Sequence, residues 1–277
     1  MRLIRRVLFA RVDLWEALLV AGLVVFAYRA FGAGELKGHV ELNEYRRLYG
    51  PDHQTEGPEE WLIRDFFQGR RGGFFVDVGA NHHQQFSKTW YLEKELGWSG
   101  IAIEPLQQFA AGYAEHRPGT KFFPLFVSAK SDEAAQLYVI DSNTSVSSSN
   151  REFIEIFGSP DRVETVPTIA LDDLLAREGR QQIDFLSMDI ELHEPEALKG
   201  FDIGRWRPAL VCIEGLLTVR QPILDYFTRH GYVLIGKYLR ADTENLYFRP
   251  LEAEPAATTP DAAAAGPSGA AAVSGRK

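Results

Sequence analysis

The 277-residue chain has a single cysteine, no excess of basic residues and no long uncharged apolar run near its N-terminus. One cysteine, Cys212, excludes an intrachain disulfide and a CxxC metal or redox motif. It lies in an apolar run, where a buried thiol is expected. Because 30 basic residues face 38 acidic ones, the net charge of −8 disfavours non-specific nucleic-acid binding, and no nucleic-acid partner is expected.

What is present is ordinary globular composition, with 45% apolar and 25% charged residues. We predict a domain over residues 58–251, preceded by a linker over 37–57. The Ala- and Pro-rich stretch 252–277 has too few apolar side chains to offset the entropy of ordering it, and is predicted to be a disordered tail.

The N-terminal segment, residues 1–36, is basic and then apolar. Its uncharged part, residues 17–28, is twelve residues long, whereas a spanning helix needs about 20 mostly apolar residues. Glu16 and Arg29 flank this part. Residues 14–31 are therefore interpreted as a marginal membrane anchor, an interfacial helix or a cleaved signal peptide.

Apolar runs of strand length alternate with segments of helical spacing in the domain, which is typical of α/β proteins with a mostly parallel sheet. The last two strands, 232–239 and 245–248, are separated by too few residues for a helical crossover, so they are expected to pair antiparallel. Further strands are predicted at 74–78, 100–104, 122–127, 183–188 and 210–213, with 136–140 beside the third, and helices at 84–96, 106–116 and 222–230.

Ligands of such sheets bind beyond the carboxyl ends of the strands. Asp77, Gly79 and Asn81 follow the first strand, where Gly79 allows a tight turn and close approach of a ligand. Glu104 ends the second strand, at a position where a carboxylate can accept both hydroxyls of a ribose. The alternatives are a plain strand-to-helix turn and an acid that interacts with a helix dipole.

The buried strand 183–188 is followed by a dense polar group. Asp189, Glu191 and His193 are candidates for a general base or a metal site, because each can accept a proton or bind a cation. Glu194 is better explained as the start of the next helix. Glu214, at the end of the following strand, is either catalytic support or a cap.

Two other polar features lie outside these strand ends. The loop 141–150 is interpreted either as a lid over the substrate or as a plain flexible loop. Lys88, within the predicted helix 84–96, is interpreted as a solvated side chain.

The sequence resembles the FkbM family of S-adenosylmethionine-dependent methyltransferases over roughly residues 73–214. Four ordered blocks carry the resemblance: Val76-Asp77-Val78-Gly79-Ala80-Asn81, Gly100-Ile101-Ala102-Ile103-Glu104-Pro105, Thr168-Ile169-Ala170-Leu171-Asp172-Asp173-Leu174 and Ile183-Asp184-Phe185-Leu186-Ser187-Met188-Asp189-Ile190-Glu191. The resemblance implies a class I methyltransferase, with a Rossmann-like, mostly parallel sheet, an antiparallel C-terminal hairpin and S-adenosyl-L-methionine as cofactor.

The resemblance also implies roles for individual residues. It places Asp77, Gly79 and Asn81 near the methionine part of the cofactor, Glu104 on the ribose and Ser128 near the adenine. The chain departs from the family pattern at His83 and Leu192, where the family usually has glycine.

We predict methyl transfer to an oxygen, with Asp189, Glu191 or His193 as base. No metal ligand is assigned; metal dependence and transfer to nitrogen stay open. The expected acceptor is a small molecule, a sugar or a lipid-linked glycan. The alternatives are an NAD(P)-dependent oxidoreductase, since a strand-end acid on a ribose is common to both classes, and an inactive membrane-tethered binding protein. Because the cofactor is made in the cytosol, we expect a membrane-associated protein whose catalytic domain faces the cytoplasm, or else a cytoplasmic one.

Overall fold

The computed structural model describes residues 42–251. The predicted N-terminal segment, residues 1–36, and the predicted tail, residues 252–277, lie outside this range. Between residues 42 and 251, no helix combines the length and the apolar character that crossing a membrane requires.

A seven-stranded sheet in the order β3-β2-β1-β7-β8-β10-β9 forms the centre of the described part. Neighbouring strands from β3 to β8 are parallel, while β10 runs antiparallel to both β8 and β9. This arrangement confirms the predicted mostly parallel α/β sheet with an antiparallel C-terminal hairpin. Its strands are β1 (Phe74–Val78), β2 (Ser99–Ile103), β3 (Thr120–Phe123), β7 (Phe185–Met188), β8 (Leu210–Glu214), β9 (Tyr232–Leu234) and β10 (Asn245–Pro250).

The central strands are apolar on both sides because the sheet separates two cores. Successive side chains of a strand point to opposite faces, so Val76 and Val78 pack into one core and Phe75 into the other. Helices cover both faces, as expected for a buried parallel sheet. They are α1 (42–49), α2 (Glu59–Phe67), α3 (Trp90–Leu96), α4 (Ala110–His116), α5 (Arg151–Phe157), α6 (Leu171–Arg177), α7 (Glu194–Ala197), α8 (Ile203–Trp206) and α9 (Arg220–Arg229).

The predicted third strand, 122–127, is wrong as a single strand. Pro124 has no N–H group for a ladder, and the amide of Leu125 turns back to the carbonyl of Phe123 at 2.9 Å. The chain therefore leaves β3 and begins β4 (Phe126–Val127) in a second sheet of order β4-β6-β5. The segment expected beside the third strand is β5 (Ala134–Val139), which pairs antiparallel with the unpredicted strand β6 (Arg162–Ile169).

The predicted helix 84–96 also begins later than expected. Residues 84–89 form turns, and the hydroxyl of Ser87 accepts the amides of Thr89 at 3.3 Å and Trp90 at 3.1 Å before α3 begins. The predicted strand 232–239 ends at Leu234, where a short 3₁₀ turn follows. Cys212 is free and buried, as predicted.

Candidate active site

The turn after β1 brings the ends of two central strands together. Gly79 has a left-handed backbone with φ of 79°. A Cβ atom on Gly79 would lie 1.8 Å from the carbonyl oxygen of Asp189, which directly follows β7. Only glycine allows this approach, so the predicted turn glycine is required both by conformation and by packing.

Glu104, at the end of β2, is held against the same turn. Its Oε2 accepts the amide of Asn81 at 3.1 Å, and its Oε1 accepts the amide of Leu106 at 2.9 Å. The residue is 5% exposed. Burial raises the pKa of Glu104 to about 7, against the effect of the two amides.

These residues line one cavity at the carboxyl ends of the strands. It contains about 460 Å³ of space, including its opening to solvent. Five predicted site residues lie on its wall: Gly79, Asn81, Glu104, Asp189 and Glu191. One side of the wall is apolar and includes Ile103, Leu125, Phe126 and Val127.

On the other side of the cavity, the wall residues Asp189 and Glu191 form a cluster of three carboxylates with Glu214, which we call the acid cluster. One oxygen of each lies within 4.8 Å of the others, close enough to hold a divalent cation. Burial, followed by the charge of Asp189, raises the pKa of Glu191 to about 8 and that of Glu214 to about 10. Glu191 is thus the member of this pair that titrates nearer to neutral pH.

The backbone of Glu191 is unusual. Glu191 and Leu192 have φ angles of 55° and 74°, a left-handed conformation that non-glycine residues rarely adopt. The hydroxyl of Ser148 donates to the carbonyl of Glu191 at 2.7 Å, and Leu192 packs against a small apolar cluster around Ile154. Two contacts therefore hold this left-handed turn without a glycine.

The loop 141–150 contributes to this wall. Thr144, Ser145 and Ser147 line the cavity. The amide of Tyr138 also donates to the carbonyl of Ser148 at 2.9 Å, which ties the loop to the end of β5. The loop therefore forms part of the site.

Three predicted site residues, Asp77, Ser128 and His193, are not part of the cavity wall. Asp77 is buried behind the turn, where its Oδ2 accepts the hydroxyl of Thr89 at 2.8 Å. His193 lies between two serines: its Nε2 is 3.2 Å from Ser128 Oγ and its Nδ1 is 3.2 Å from Ser149 Oγ. Burial lowers the pKa of His193, so the ring is neutral at pH 7 and links β4 to the loop.

His83, the other departure from the family pattern, lies outside the cavity wall. Its ring packs against those of His82 and His116, with centroids 4.0 and 4.7 Å away. A Cβ atom on Gly112 would lie 2.4 Å from its Nδ1. The imidazole therefore packs against α4 instead of filling the cavity.

The interpretation of Lys88 as solvated is wrong. Lys88 is 8% exposed, and its Nζ donates to Asp189 Oδ2 at 2.6 Å. Burial alone would lower the pKa of Lys88, but the surrounding acidic groups, Asp189 first, together outweigh it and the pKa lies above its usual value. Helical spacing gives no signal for this burial, because Lys88 lies in the turns before α3.

The comparisons with known proteins agree with this geometry. The sequence matches the family model "Methyltransferase FkbM domain" over residues 77–234. The chain belongs to the FkbM methyltransferase family. Membership decides between the two predicted enzyme classes in favour of the methyltransferase, and the methyl donor of this family is S-adenosylmethionine. No curated protein matches the sequence.

Several solved structures are similar to the FkbM domain described here. The methyltransferase FkbM from Methylobacillus flagellatus KT has 12% identity and a TM-score of 0.40, and the match covers 79% of this chain and 60% of that chain. A TehB-like S-adenosylmethionine-dependent methyltransferase from Corynebacterium glutamicum has 14% identity and a TM-score of 0.40, with 78% and 98% covered. A methyltransferase from Thiobacillus denitrificans, in complex with S-adenosyl-L-homocysteine, has 9% identity and a TM-score of 0.35, with 73% and 77% covered.

The residues of the cavity fit the cofactor of the family. Each oxygen of Glu104 accepts one backbone amide and keeps a lone pair for a ribose hydroxyl. The apolar wall around Phe126 and Val127 suits a flat heterocycle.

Proposed function

We propose that the chain methylates a hydroxyl group of a small metabolite, sugar or lipid-linked glycan, with S-adenosylmethionine as the methyl donor. One observation carries this proposal: Glu104 and two members of the acid cluster, Asp189 and Glu191, line a single cavity. A carboxylate that can bind the ribose of the cofactor and a carboxylate that can accept a proton therefore face the same cavity. Methyl transfer to an alcohol needs alignment and removal of the hydroxyl proton, and both can occur there.

The chain's own residues bind the cofactor in this proposal. Glu104 accepts the ribose hydroxyls, and the apolar wall at Phe126 and Val127 receives the adenine. Gly79 and Asn81 form the turn beside the methionine part. When bound, S-adenosylmethionine supplies a methyl group on a sulfonium sulfur.

Glu191 is the proposed base, and a carboxylate oxygen of its side chain takes the hydroxyl proton. It lines the cavity, and a pKa of about 8 makes it a stronger base than an ordinary glutamate. His193 is less suitable, because two serine hydroxyls already contact its ring nitrogens. Asp189 has one oxygen paired with Lys88.

The N-terminal segment bears on the choice of acceptor. If residues 14–31 hold the chain at a membrane, the cavity meets acceptors anchored in lipid more often than diffusing ones. We therefore rank lipid-linked glycans above free metabolites. Flotation of the full chain with lipid vesicles, compared with a chain that lacks residues 1–36, tests this ranking.

The first experiment is calorimetric binding of S-adenosylmethionine and S-adenosylhomocysteine to the full chain and to Glu104→Ala. We expect micromolar binding that Glu104→Ala loses, because the variant removes the ribose acceptor. Formation of S-adenosylhomocysteine with hydroxylated acceptors then tests turnover. Binding without turnover across sugar, lipid-linked and small-molecule acceptors would instead support the inactive binding protein, and no binding by a folded chain would refute the proposal.

A further inference from the structure

A buried ammonium group lies behind the acid cluster. Lys88 Nζ contacts Asp189 Oδ2 at 2.6 Å and Asn245 Oδ1 at 3.4 Å. Removing an ammonium group from water costs several kcal/mol unless an anion compensates it. The ion pair with Asp189 supplies this compensation.

The second contact of Lys88, with Asn245, is fixed by further hydrogen bonds. Asn245, the first residue of β10, donates its Nδ2 to Asp242 Oδ2 at 3.2 Å and to Glu59 Oε1 at 3.4 Å. These bonds turn Asn245 Oδ1 toward Lys88. Three segments distant in sequence thus fix one ammonium: the turns before α3, the residue after β7 and the start of β10.

Asp189 is the link between Lys88 and the cavity. It lines the cavity, and its side chain is 34% exposed. The same residue lies within the acid cluster beside Glu191 and Glu214. The positive charge of Lys88, on the buried side of Asp189, therefore acts on the neighbouring carboxylates Glu191 and Glu214.

We propose that Lys88 is a positioning residue for methyl transfer, which fixes Asp189 by an ion pair and places a positive charge beside the acid cluster in which the base lies. This inference rests on the proposed function. Acidic groups face Lys88 and the cluster from every neighbouring element: Glu59, Asp77, Asp189, Glu191, Glu194, Glu214, Asp242 and Glu244.

The positive charge of Lys88 acts on several of these acids at once. It lowers the pKa values of Glu191, Glu194 and Glu214, against the larger raising effect of burial. Without the ammonium, Glu191 would hold its proton to a higher pH. Fewer molecules would then carry an ionised base at neutral pH.

The test compares Lys88→Met, which removes the charge and shortens the side chain by one heavy atom, with Lys88→Arg, which keeps the charge. The first readout needs no turnover: carboxyl ¹³C NMR titration of the full chain without cofactor, with Glu191→Gln and Glu214→Gln to assign the signals. We expect the Glu191 midpoint to rise by about one pH unit in Lys88→Met and to change little in Lys88→Arg. Affinity for S-adenosylhomocysteine should change less than twofold, since Lys88 does not line the cavity.

The second readout is the pH profile of kcat/KM. Its acidic limb should move upward by about one pH unit in Lys88→Met, with a tenfold loss of rate below the limb, and return in Lys88→Arg. A folded Lys88→Met variant with wild-type titration and profile would overturn the inference.

If Lys88→Met does not fold, the double variant Lys88→Met, Asp189→Asn removes both charges. Its Glu191 midpoint should lie near the wild-type value, and a midpoint raised by a full pH unit would contradict the inference. Failure of the proposed function is a separate result, seen as absent turnover in the wild-type chain.

Discussion

The carbonyl oxygen of Asp189 lies 1.8 Å from where a Cβ atom of residue 79 would be, so Gly79 is the point at which the cofactor turn meets the acid cluster. No rotamer can relieve a clash between a Cβ atom and a backbone oxygen. Gly79→Ala should therefore separate the ends of β1 and β7, lower the free energy of unfolding by about 3 kcal/mol or more, and abolish cofactor binding. Urea unfolding and calorimetry measure both effects.

Gly97→Ala is the matched control. Gly97 also has a positive φ, of 66°, but no atom lies within 4 Å of where its Cβ atom would be. Its cost should be limited to backbone strain of about 1 kcal/mol, with cofactor affinity unchanged. Equal losses in the two variants would mean that the contact with Asp189 is unimportant.

Glu104 should make cofactor binding depend on pH. Burial raises its pKa to about 7, and only the ionised carboxylate can accept both ribose hydroxyls. Below pH 7, binding must also release a proton, so the Kd of S-adenosylhomocysteine should rise by about tenfold for each pH unit below 7 and be constant well above it. Calorimetry from about pH 5.5 to about pH 9 spans that pKa on both sides and measures this dependence.

Two variants check the assignment to Glu104. Glu104→Gln should bind weakly with no slope against pH, because it has no proton to release. Glu115→Gln, on the exposed face of α4, should keep the wild-type profile. A slope that persists in Glu104→Gln would assign the titration to another group.

Glu191 should control the rate of methyl transfer. As a base with a pKa of about 8, it accepts a proton only when ionised, so the rate should rise as the pH increases through 8 and level off above it. Glu191→Gln should lower kcat by about 100-fold or more and remove this limb. Glu196→Gln, which changes a neighbouring carboxylate paired with Lys199 outside the cavity, should leave both unchanged. A limb that survives in Glu191→Gln would point to another base.

The sequence predicted the parts of the site that depend on strand ends. Gly79, Glu104 and Asp189 follow continuous apolar strands, and the carboxyl ends of parallel strands meet at one edge of a sheet. Their convergence on one cavity could therefore be predicted without coordinates. The roles assigned to them in catalysis and binding stay predictions.

The parts that were wrong depend on contacts between segments far apart in sequence. Lys88 has the pattern of an exposed residue, and its burial follows from Asp189 and Asn245, which are 101 and 157 residues away. The second sheet was missed because β6 contains Pro167, which argues against a strand inside a sheet, and pairs with β5 across a connection of more than twenty residues that includes α5. Neither the burial of Lys88 nor the pairing of β5 with β6 can be predicted from the local periodicity of the sequence.

Arg117 contacts residues that follow the turn after β1, and its substitution tests whether these contacts stabilise the fold. The side chain is fully buried and its Nε pairs with Glu93. Its Nη1 donates to the carbonyl of His83 at 2.8 Å, and its Nη2 to Thr89 Oγ1 at 3.1 Å. Arg117→Met removes the cation that faces the buried Glu93 carboxylate and the donor to the partly buried carbonyl of His83, so the free energy of unfolding should fall by about 3 to 5 kcal/mol. Arg70→Met, at a half-exposed pair with Asp184, should cost about 1 kcal/mol or less.

The effect of Arg117 should also depend on pH in a defined direction. Burial alone would raise the pKa of Glu93, but hydrogen bonds from Thr120 and Arg117 outweigh it and hold the pKa below its usual value. A carboxyl group with a lowered pKa stabilises the fold above its unfolded pKa, and this contribution is lost as the pH falls through the folded pKa. The difference between wild type and Arg117→Met in urea unfolding should thus be largest near neutral pH and shrink below about pH 4. A difference that stays constant down to pH 3, roughly one unit below the usual glutamate value, would mean that the ion pair contributes nothing and that the loss comes from packing alone.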